Sequence, residues 1–168
     1  GRYAAASGES PDVANAVGEA YLPRFAGDEL PASTAGKAVA IADRLDTLTG
    51  IFGIGQTPKG DKDPYALRRA ALGVLRIIIE GGLNIDLANA LSAAAHAHSA
   101  TFDRHAVATD VFDFMLDRLR AYYADQDITP QVFSAVHAKR PTKPLDFAKR
   151  VSAVNSFRAM PEAEALAA

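Results

Sequence analysis

Apolar residues recur at helical spacing on either side of a short polar loop in the first half of the chain. Before the loop the steps are four, three and four residues, along Ile41, Leu45, Leu48 and Phe52. After the loop the steps are again four, three and four, along Leu67, Ala71, Val74 and Ile78. This spacing places each set on one face of a helix. Because the loop is short and carries glycine and proline, we expect the two helices to pack as a hairpin.

Capping residues predict where these two helices begin and end. Ser33 or Thr34 can accept a hydrogen bond from the first turn of the first helix. Asp63 followed by Pro64 predicts the start of the second helix, because a proline in the first turn removes an N–H that would have no partner there. A glycine pair beginning at Gly81 can adopt the left-handed backbone of a helix C-terminus and predicts its end.

Further helices are expected along the rest of the chain, from apolar spacing and from residues that favour helix starts. Their expected first residues or caps are Ser10, Asp86, Val107, Pro130, Leu145 and Glu162. Alanine is abundant and strand-favouring runs are scarce, which predicts an all-α, multi-helix bundle. We place a boundary after residue 105, so that residues 1–105 form one helical domain and residues 106–168 begin an appended helical segment.

The composition narrows the class of protein further. No cysteine occurs among the 168 residues, which excludes disulfides and thiolate metal sites. The longest apolar runs are too short to cross a bilayer, and the first residues lack the order of a secretion signal. We therefore expect a soluble chain with no membrane partner. Because the chain begins with Gly1 rather than methionine, we also expect a piece of a longer protein.

Charge is unevenly distributed along the chain. The net charge is −2, so bulk charge predicts no nucleic-acid partner. From Asp103 to Asp127, six acidic residues stand against three basic ones, a local balance of −3. Residues 137–150, the C-terminal basic segment, hold five basic residues against Asp146 alone, a balance of +4. The five are Lys139, Arg140, Lys143, Lys149 and Arg150. Such a cluster can bind phosphates, although most charge clusters are solvated faces.

A second set of candidate phosphate ligands lies on the helix after the loop. Its members are Arg68, Arg69 and Arg76. Arg69 and Arg76 share a polar stripe with Gly73 and Glu80, at steps of four, three and four. Arginines placed in this way can hold phosphates in a forked geometry. Alternatively they fasten the hairpin by pairing with its carboxylates, which are Asp43, Asp46 and Glu80. Spacing favours the structural role without excluding RNA.

Asp43 and Asp46 are candidate metal ligands, because carboxylates three residues apart on a helix can share a cation or a proton. The alternative is that they accept hydrogen bonds or pair with arginines, namely Arg44, Arg68 or Arg69. Two carboxylates are too few for a catalytic metal, which favours the alternative. His96 and His98 are a poor ligand pair, because side chains two positions apart on a helix point to different faces. The loop at 55–62 lacks the GxxxxGK[ST] order of a nucleotide-binding loop.

Four stretches together resemble one known family. They are YLPRFAGDELP at 21–31, ADRLDTLTGIFGIG at 42–55, KDPYALRRAALG at 62–73 and FMLDRLRAYY at 114–123. They resemble the beta subunit of the bacterial heterotetrameric glycyl-tRNA synthetase, and the resemblance covers most of the chain. This region of the family resembles the HD phosphohydrolase domain, so the resemblance implies an HD-domain-like bundle.

Histidines decide whether such an HD-like domain is catalytic. HD domains hold a divalent metal through histidines, one of them directly followed by aspartate, and through a later aspartate. The histidines here are His96, His98, His105 and His137, and none is followed by aspartate. The resemblance therefore implies a catalytically silent domain, in which Asp43 and Asp46 are vestigial candidates for metal ligands.

The resemblance also implies a function in protein synthesis. In that family the alpha and beta subunits together attach glycine to its tRNA, tRNA(Gly), with ATP and Mg²⁺ in the cytoplasm. The aminoacylation centre belongs to the alpha subunit, while the beta subunit contributes to tRNA recognition and assembly. We therefore expect two partners, the alpha subunit and tRNA(Gly), and no DNA partner. We also expect that this chain holds neither a catalytic residue nor a cofactor. The expected tRNA contacts are Arg68, Arg69, Arg76, Lys139, Arg140, Lys143, Lys149 and Arg150.

Two alternatives come from other functional classes. A structural spacer would join the two subunits without touching RNA. A metal-dependent phosphohydrolase of the HD type would need a metal at Asp43, with histidines supplied from elsewhere in the fold.

Overall fold

The computed structural model describes residues 2–158 and residue 160. Within them the chain forms eight α-helices and no β-strand, which confirms the all-α bundle. In chain order the helices are α1 (Arg2–Ala6), α2 (Pro11–Glu19), α3 (Thr34–Gly53), α4 (Leu67–Glu80), α5 (Leu87–Ala97), α6 (Arg104–Ala124), α7 (Pro130–His137) and α8 (Pro144–Arg158). Among the described residues, no helix is both long enough and apolar enough to cross a membrane.

Most helix starts were predicted correctly, because the caps act locally, but α6 begins at Arg104, three residues before the predicted Val107. Ser33 accepts a hydrogen bond from the main-chain N–H of Gly36 at 2.9 Å. Asp86 accepts one from Asn89 at 3.0 Å, and Ser10 caps α2 in the same way. α1 was not predicted from the sequence. The helix predicted at 162–168 lies outside the described residues.

The predicted start of α4 at the Asp63–Pro64 pair is wrong by three residues. α4 begins at Leu67, after Ala66, whose φ of 54° is left-handed. Asp63 still caps the helix, because its carboxylate accepts the main-chain N–H groups of Leu67 at 2.8 Å and Arg68 at 2.9 Å. The carboxylate reaches these groups across an intervening turn, so the cap and the first helical residue are not neighbours in sequence.

The hydrophobic core is one cluster of buried side chains that extends from Ala40 to Val151. α3, α4, α5 and α6 pack around it, and α3 packs against α4 as the hairpin prediction required. α7 packs against α6 and α8, while α8 also packs against α4. The boundary predicted after residue 105 falls in the first turn of α6, and buried residues on both sides of it join the cluster. The division into two parts stays a prediction.

Candidate nucleic-acid interface

Residues 20–33, the loop between α2 and α3, are held against the bundle by an arginine of α3. The Arg44 guanidinium donates hydrogen bonds to the main-chain carbonyls of Ala20 at 3.1 Å, Tyr21 at 3.2 Å and Pro23 at 3.1 Å. Burial lowers the pKa of Arg44, and the charge of Asp43 opposes that shift. These carbonyls carry no net charge, so they position the guanidinium without neutralising it.

Gly73 of α4 leaves the space that Arg44 occupies. A Cβ added at Gly73 would lie 3.1 Å from Arg44 Nε and 3.6 Å from Pro23 Cγ. A distance of 3.1 Å is tighter than most such contacts, so a side chain here would press on the guanidinium. The position that appeared in the sequence as part of a polar stripe is therefore a packing site beneath the loop.

Two arginines of α4 hold the same loop farther along. Arg76 donates to the main-chain carbonyl of Asp28 at 3.1 Å, and Arg69 donates to that of Arg24 at 3.4 Å. Arg76 also forms an ion pair with Glu80 at 2.8 Å, and its side chain is only 13% exposed. The hydrogen bond to Glu80 raises the pKa of Arg76. Arg76 thus makes contacts of the kind expected for the structural alternative, one to a carboxylate and one to a main-chain carbonyl.

An ion pair closes the loop on itself. The Asp28 carboxylate accepts hydrogen bonds from the main-chain N–H of Arg24 at 2.7 Å and from its Nε at 2.9 Å. The Arg24 side chain and then its main-chain N–H lower the pKa of the buried Asp28 carboxyl to about 2. Asp28 therefore fixes the turn that carries residues 24–28.

A groove of about 520 Å³ opens between this loop, α4 and α6. We call it the arginine groove. Its lining residues are Arg24, Phe25, Ala26, Arg68, Arg69, Leu72, Arg118 and Ala121. Three separate segments of the chain thus supply four guanidinium groups and one exposed aromatic ring to one concave surface.

The arginine groove holds cations that no carboxylate neutralises. Arg24 pairs with Asp28, but among the described residues no carboxylate lies within 4.0 Å of Arg68, Arg69 or Arg118. Arg68 donates instead to the main-chain carbonyl of Gly60. Arg118 lies with its guanidinium carbon 5.4 Å from the Phe114 ring centroid, and its buried Nε has no hydrogen-bond partner in the described part. The groove can therefore attract anionic groups.

The C-terminal basic segment is more neutral than its sequence indicated. Arg140 forms an ion pair with Asp113 of α6, and Arg150 forms one with Asp146 at 2.8 Å. Lys143 and Lys149 line a pocket of about 470 Å³ together with Asn84 and Asp146. The exposed Lys139 and these two lysines have no carboxylate within 4.0 Å among the described residues. Of the five cations, the two arginines thus have acidic partners.

Asp46 meets one histidine, His98, whereas no histidine lies within 4.0 Å of Asp43 among the described residues. His98 ends α5, and its Nε2 lies 2.9 Å from Thr49 Oγ1 and 3.5 Å from Asp46 Oδ1. The His96 ring instead contacts the carbonyl of Ser92. In the part of the chain that the structure describes, no three His, Cys, Asp or Glu side chains are grouped to hold a metal ion. The contacts of His98 with Thr49 and Asp46 fasten the end of α5 to α3.

Sequence reasoning missed three groove residues and the arginine that holds the loop. Arg24, Phe25 and Arg118 line the groove, and Arg44 fixes the loop from beneath. The available signal was the Arg24–Phe25 pair between two prolines of an otherwise irregular segment. Binding residues are disproportionately found on loops that a rigid scaffold positions, so this loop was a place to look for them.

Comparisons with known proteins agree with one another. The sequence model of the family described as glycyl-tRNA synthetase beta subunit matches residues 1–138. The chain is 56% identical over 165 residues to the glycine–tRNA ligase beta subunit of Marinobacter nauticus, covering 98% of this chain and 24% of that protein. It is 57% identical over 166 residues to that of Ectopseudomonas mendocina, covering 99% and 24%. The chain therefore spans about a quarter of the length of the curated relatives it matches.

Proposed function

Because this chain belongs to the glycyl-tRNA synthetase beta subunit family, we propose that it is a tRNA-contacting and assembly module of a glycine–tRNA ligase. In this proposal the whole enzyme joins glycine to tRNA(Gly), with an alpha subunit as partner and ATP and Mg²⁺ as co-substrate and metal. The module has no catalytic centre of its own.

The observation that carries the tRNA proposal is the arginine groove. Protein–RNA affinity depends strongly on cations that replace the counterions of phosphates. Arg68 and Arg69 suit this role because their charges are uncompensated and main-chain carbonyls hold their guanidinium groups in place. Guanidinium groups bind phosphate oxygens in a forked geometry that ammonium groups lack. Phosphates of tRNA are therefore the proposed ligands of the groove.

The remaining cations expected to contact tRNA divide into two groups. Lys139, Lys143 and Lys149 lack acidic partners among the described residues and are proposed as a second phosphate-binding set. The arginines paired with carboxylates are proposed as structural, and they are Arg76, Arg140 and Arg150. Neutralised arginines release fewer counterions on binding, so they contribute less to the salt dependence.

ATP and Mg²⁺ are assigned to the whole enzyme and not to this module. Asp43 and Asp46 are solvent-exposed carboxylates, and the nearest histidine bonds to Thr49. Mg²⁺ in nucleotide sites is usually held by carboxylates together with substrate phosphates. The described residues offer no cluster of three ligand side chains, so this proposal places neither the Mg²⁺ site nor a phosphohydrolase centre in this module.

A tRNA titration at several salt concentrations tests the proposal. We expect the variant R68A/R69A to bind labelled tRNA(Gly) more weakly than the unchanged chain. Its slope of log affinity against log salt should become shallower by about 1 for each phosphate that an arginine no longer neutralises. The matched control is R140A/R150A, which also removes two arginines but only from ion pairs, and which should change the slope little.

Two results would contradict the tRNA proposal. Absence of binding at low salt would favour the structural spacer. Equal decreases of affinity in R68A/R69A and R140A/R150A would show that binding follows total charge and not the groove. A third variant, K139A/K143A, measures the second set, and we expect it to make the slope shallower without abolishing binding.

A further inference from the structure

Phe25 is a large apolar side chain that the fold leaves in contact with water. It is 58% exposed, although it stands in a groove beside four arginines. The Arg24 guanidinium carbon lies 5.8 Å from the ring centroid. An exposed aromatic ring between cations is a combination that phosphate binding alone does not require, because phosphates need only the cations.

The loop that carries Phe25 is held in position before any ligand arrives. Arg44, Arg69 and Arg76 each donate to main-chain carbonyls of this loop. The Asp28 carboxylate closes the turn that contains Phe25. A loop fixed in this way loses little conformational entropy on binding, so it presents the ring as a preorganised surface.

The ring and the cations together match an unpaired nucleotide. Paired bases in an RNA helix are stacked on one another and expose no face to a protein. Unpaired bases can stack on an aromatic ring or on an arginine plane while neighbouring phosphates meet cations. The groove volume of about 520 Å³ falls within the range of about 300–1,000 Å³ typical of small-molecule sites.

Building on the proposed function, we propose that the arginine groove binds a single-stranded stretch of RNA. One unpaired base stacks on Phe25, and the flanking phosphates contact Arg68, Arg69 and Arg118. Stacking does not depend strongly on base identity, so the groove would select unpaired RNA over paired RNA without reading a sequence.

Two RNA probes and one substitution test this inference. The probes are a blunt RNA hairpin and the same hairpin with a single-stranded extension. We expect the unchanged chain to prefer the extended hairpin. In F25A this preference should fall about tenfold, while affinity for the blunt hairpin stays the same. F25W should keep the preference, since indole also stacks on bases. The matched control is Y3A, which removes a 91% exposed aromatic ring that does not line the groove.

The outcomes separate this inference from the proposed function. If F25A keeps the preference while R68A/R69A weakens binding to both hairpins, the inference is wrong and the proposed function stands. If R68A/R69A changes neither affinity, the groove does not bind RNA and both are wrong. If polyglutamate displaces the extended hairpin as well as RNA of equal charge does, the groove is a general anion site, and the inference is overturned.

Discussion

The arginine groove and the C-terminal basic segment are both rich in cations, but those cations have different partners. In the groove Arg68 and Arg69 bond to neutral carbonyls, whereas in the segment Arg140 and Arg150 bond to carboxylates. A carbonyl fixes a guanidinium group and leaves its charge available, while a carboxylate also neutralises it. The segment has the higher charge density in the sequence, yet its cations without a carboxylate partner are lysines, whereas those of the groove are arginines, which is why we propose the groove as the main phosphate-binding surface.

The two regions also differ in what holds them to the bundle. The loop that borders the groove is fastened by arginine side chains that bond to its main chain. The C-terminal segment is fastened by an aromatic cluster, in which Phe147 of α8 stacks on Tyr123 of α6 at a centroid distance of 5.8 Å. The Phe133 ring of α7 packs against both of these rings. The attachment of the groove loop therefore depends on hydrogen-bond geometry, and the attachment of the C-terminal segment depends on buried apolar area.

The largest expected effect comes from removing the centre of the aromatic cluster. Phe147 is fully buried, so F147A should lower the free energy of unfolding by about 3–5 kcal/mol, measured by urea denaturation. The matched control is F157A on the same helix, where the ring is 46% exposed, and it should cost less than about 0.5 kcal/mol. A decrease below about 1 kcal/mol in F147A would mean that α8 is not held by this ring.

An intermediate effect is expected where arginine holds the groove loop. R44M removes the donors for three loop carbonyls, and we expect the free energy of unfolding to fall by about 2 kcal/mol. RNA affinity should also fall, although Arg44 does not line the groove, because Phe25 and Arg24 lose their fixed positions. Thermal unfolding and the tRNA titration measure the two effects.

R44K and R150A control for the removal of charge. R44K keeps the charge, but one ammonium cannot take the place of the planar fork, so we expect it to be nearly as unstable as R44M. R150A removes an equal charge from an exposed ion pair and should cost less than about 1 kcal/mol. If R44K were as stable as the unchanged chain, the charge and not the hydrogen-bond geometry would hold the loop.

The helices could be predicted from the sequence because periodicity and caps are local properties. Ser33 and Asp86 cap helices through residues three positions away. The start of α4 was wrong because the left-handed Ala66 separates Asp63 from the helix it caps. Nothing in the residue types requires that turn, so only the folded backbone reveals it.

The groove could be predicted only in part because it is assembled from distant segments. Arg68 and Arg69 were found from their helical position, but Arg24 and Arg118 belong to other segments of the chain. The pairing of Arg140 with Asp113 joins residues 27 positions apart. No spacing rule links such residues, so the sequence could not show which cations are neutralised.

The smallest expected effect concerns the ion pair that closes the groove loop. Because Arg24 lowers the pKa of the Asp28 carboxyl from its ordinary value of 3.8 to about 2, the charged form is favoured in the folded chain. The charged Asp28 carboxylate therefore makes its full contribution to the free energy of unfolding above about pH 4, and that contribution is lost as the pH falls toward 2. The difference in melting temperature between the unchanged chain and D28N should shrink over that interval.

The matching change in the C-terminal basic segment is D146N. It tests whether the Arg24–Asp28 and Arg150–Asp146 ion pairs contribute differently to stability. Asp28 is buried and also accepts a main-chain N–H, whereas the side chains of Arg150 and Asp146 are 52% and 43% exposed. An exposed pair gains little net free energy, because water and salt screen it. D146N should therefore leave the melting temperature nearly unchanged at neutral pH, while D28N lowers it. Equal shifts in the two variants would mean that the carboxylate in the groove loop is held no more firmly than one on an open helix surface.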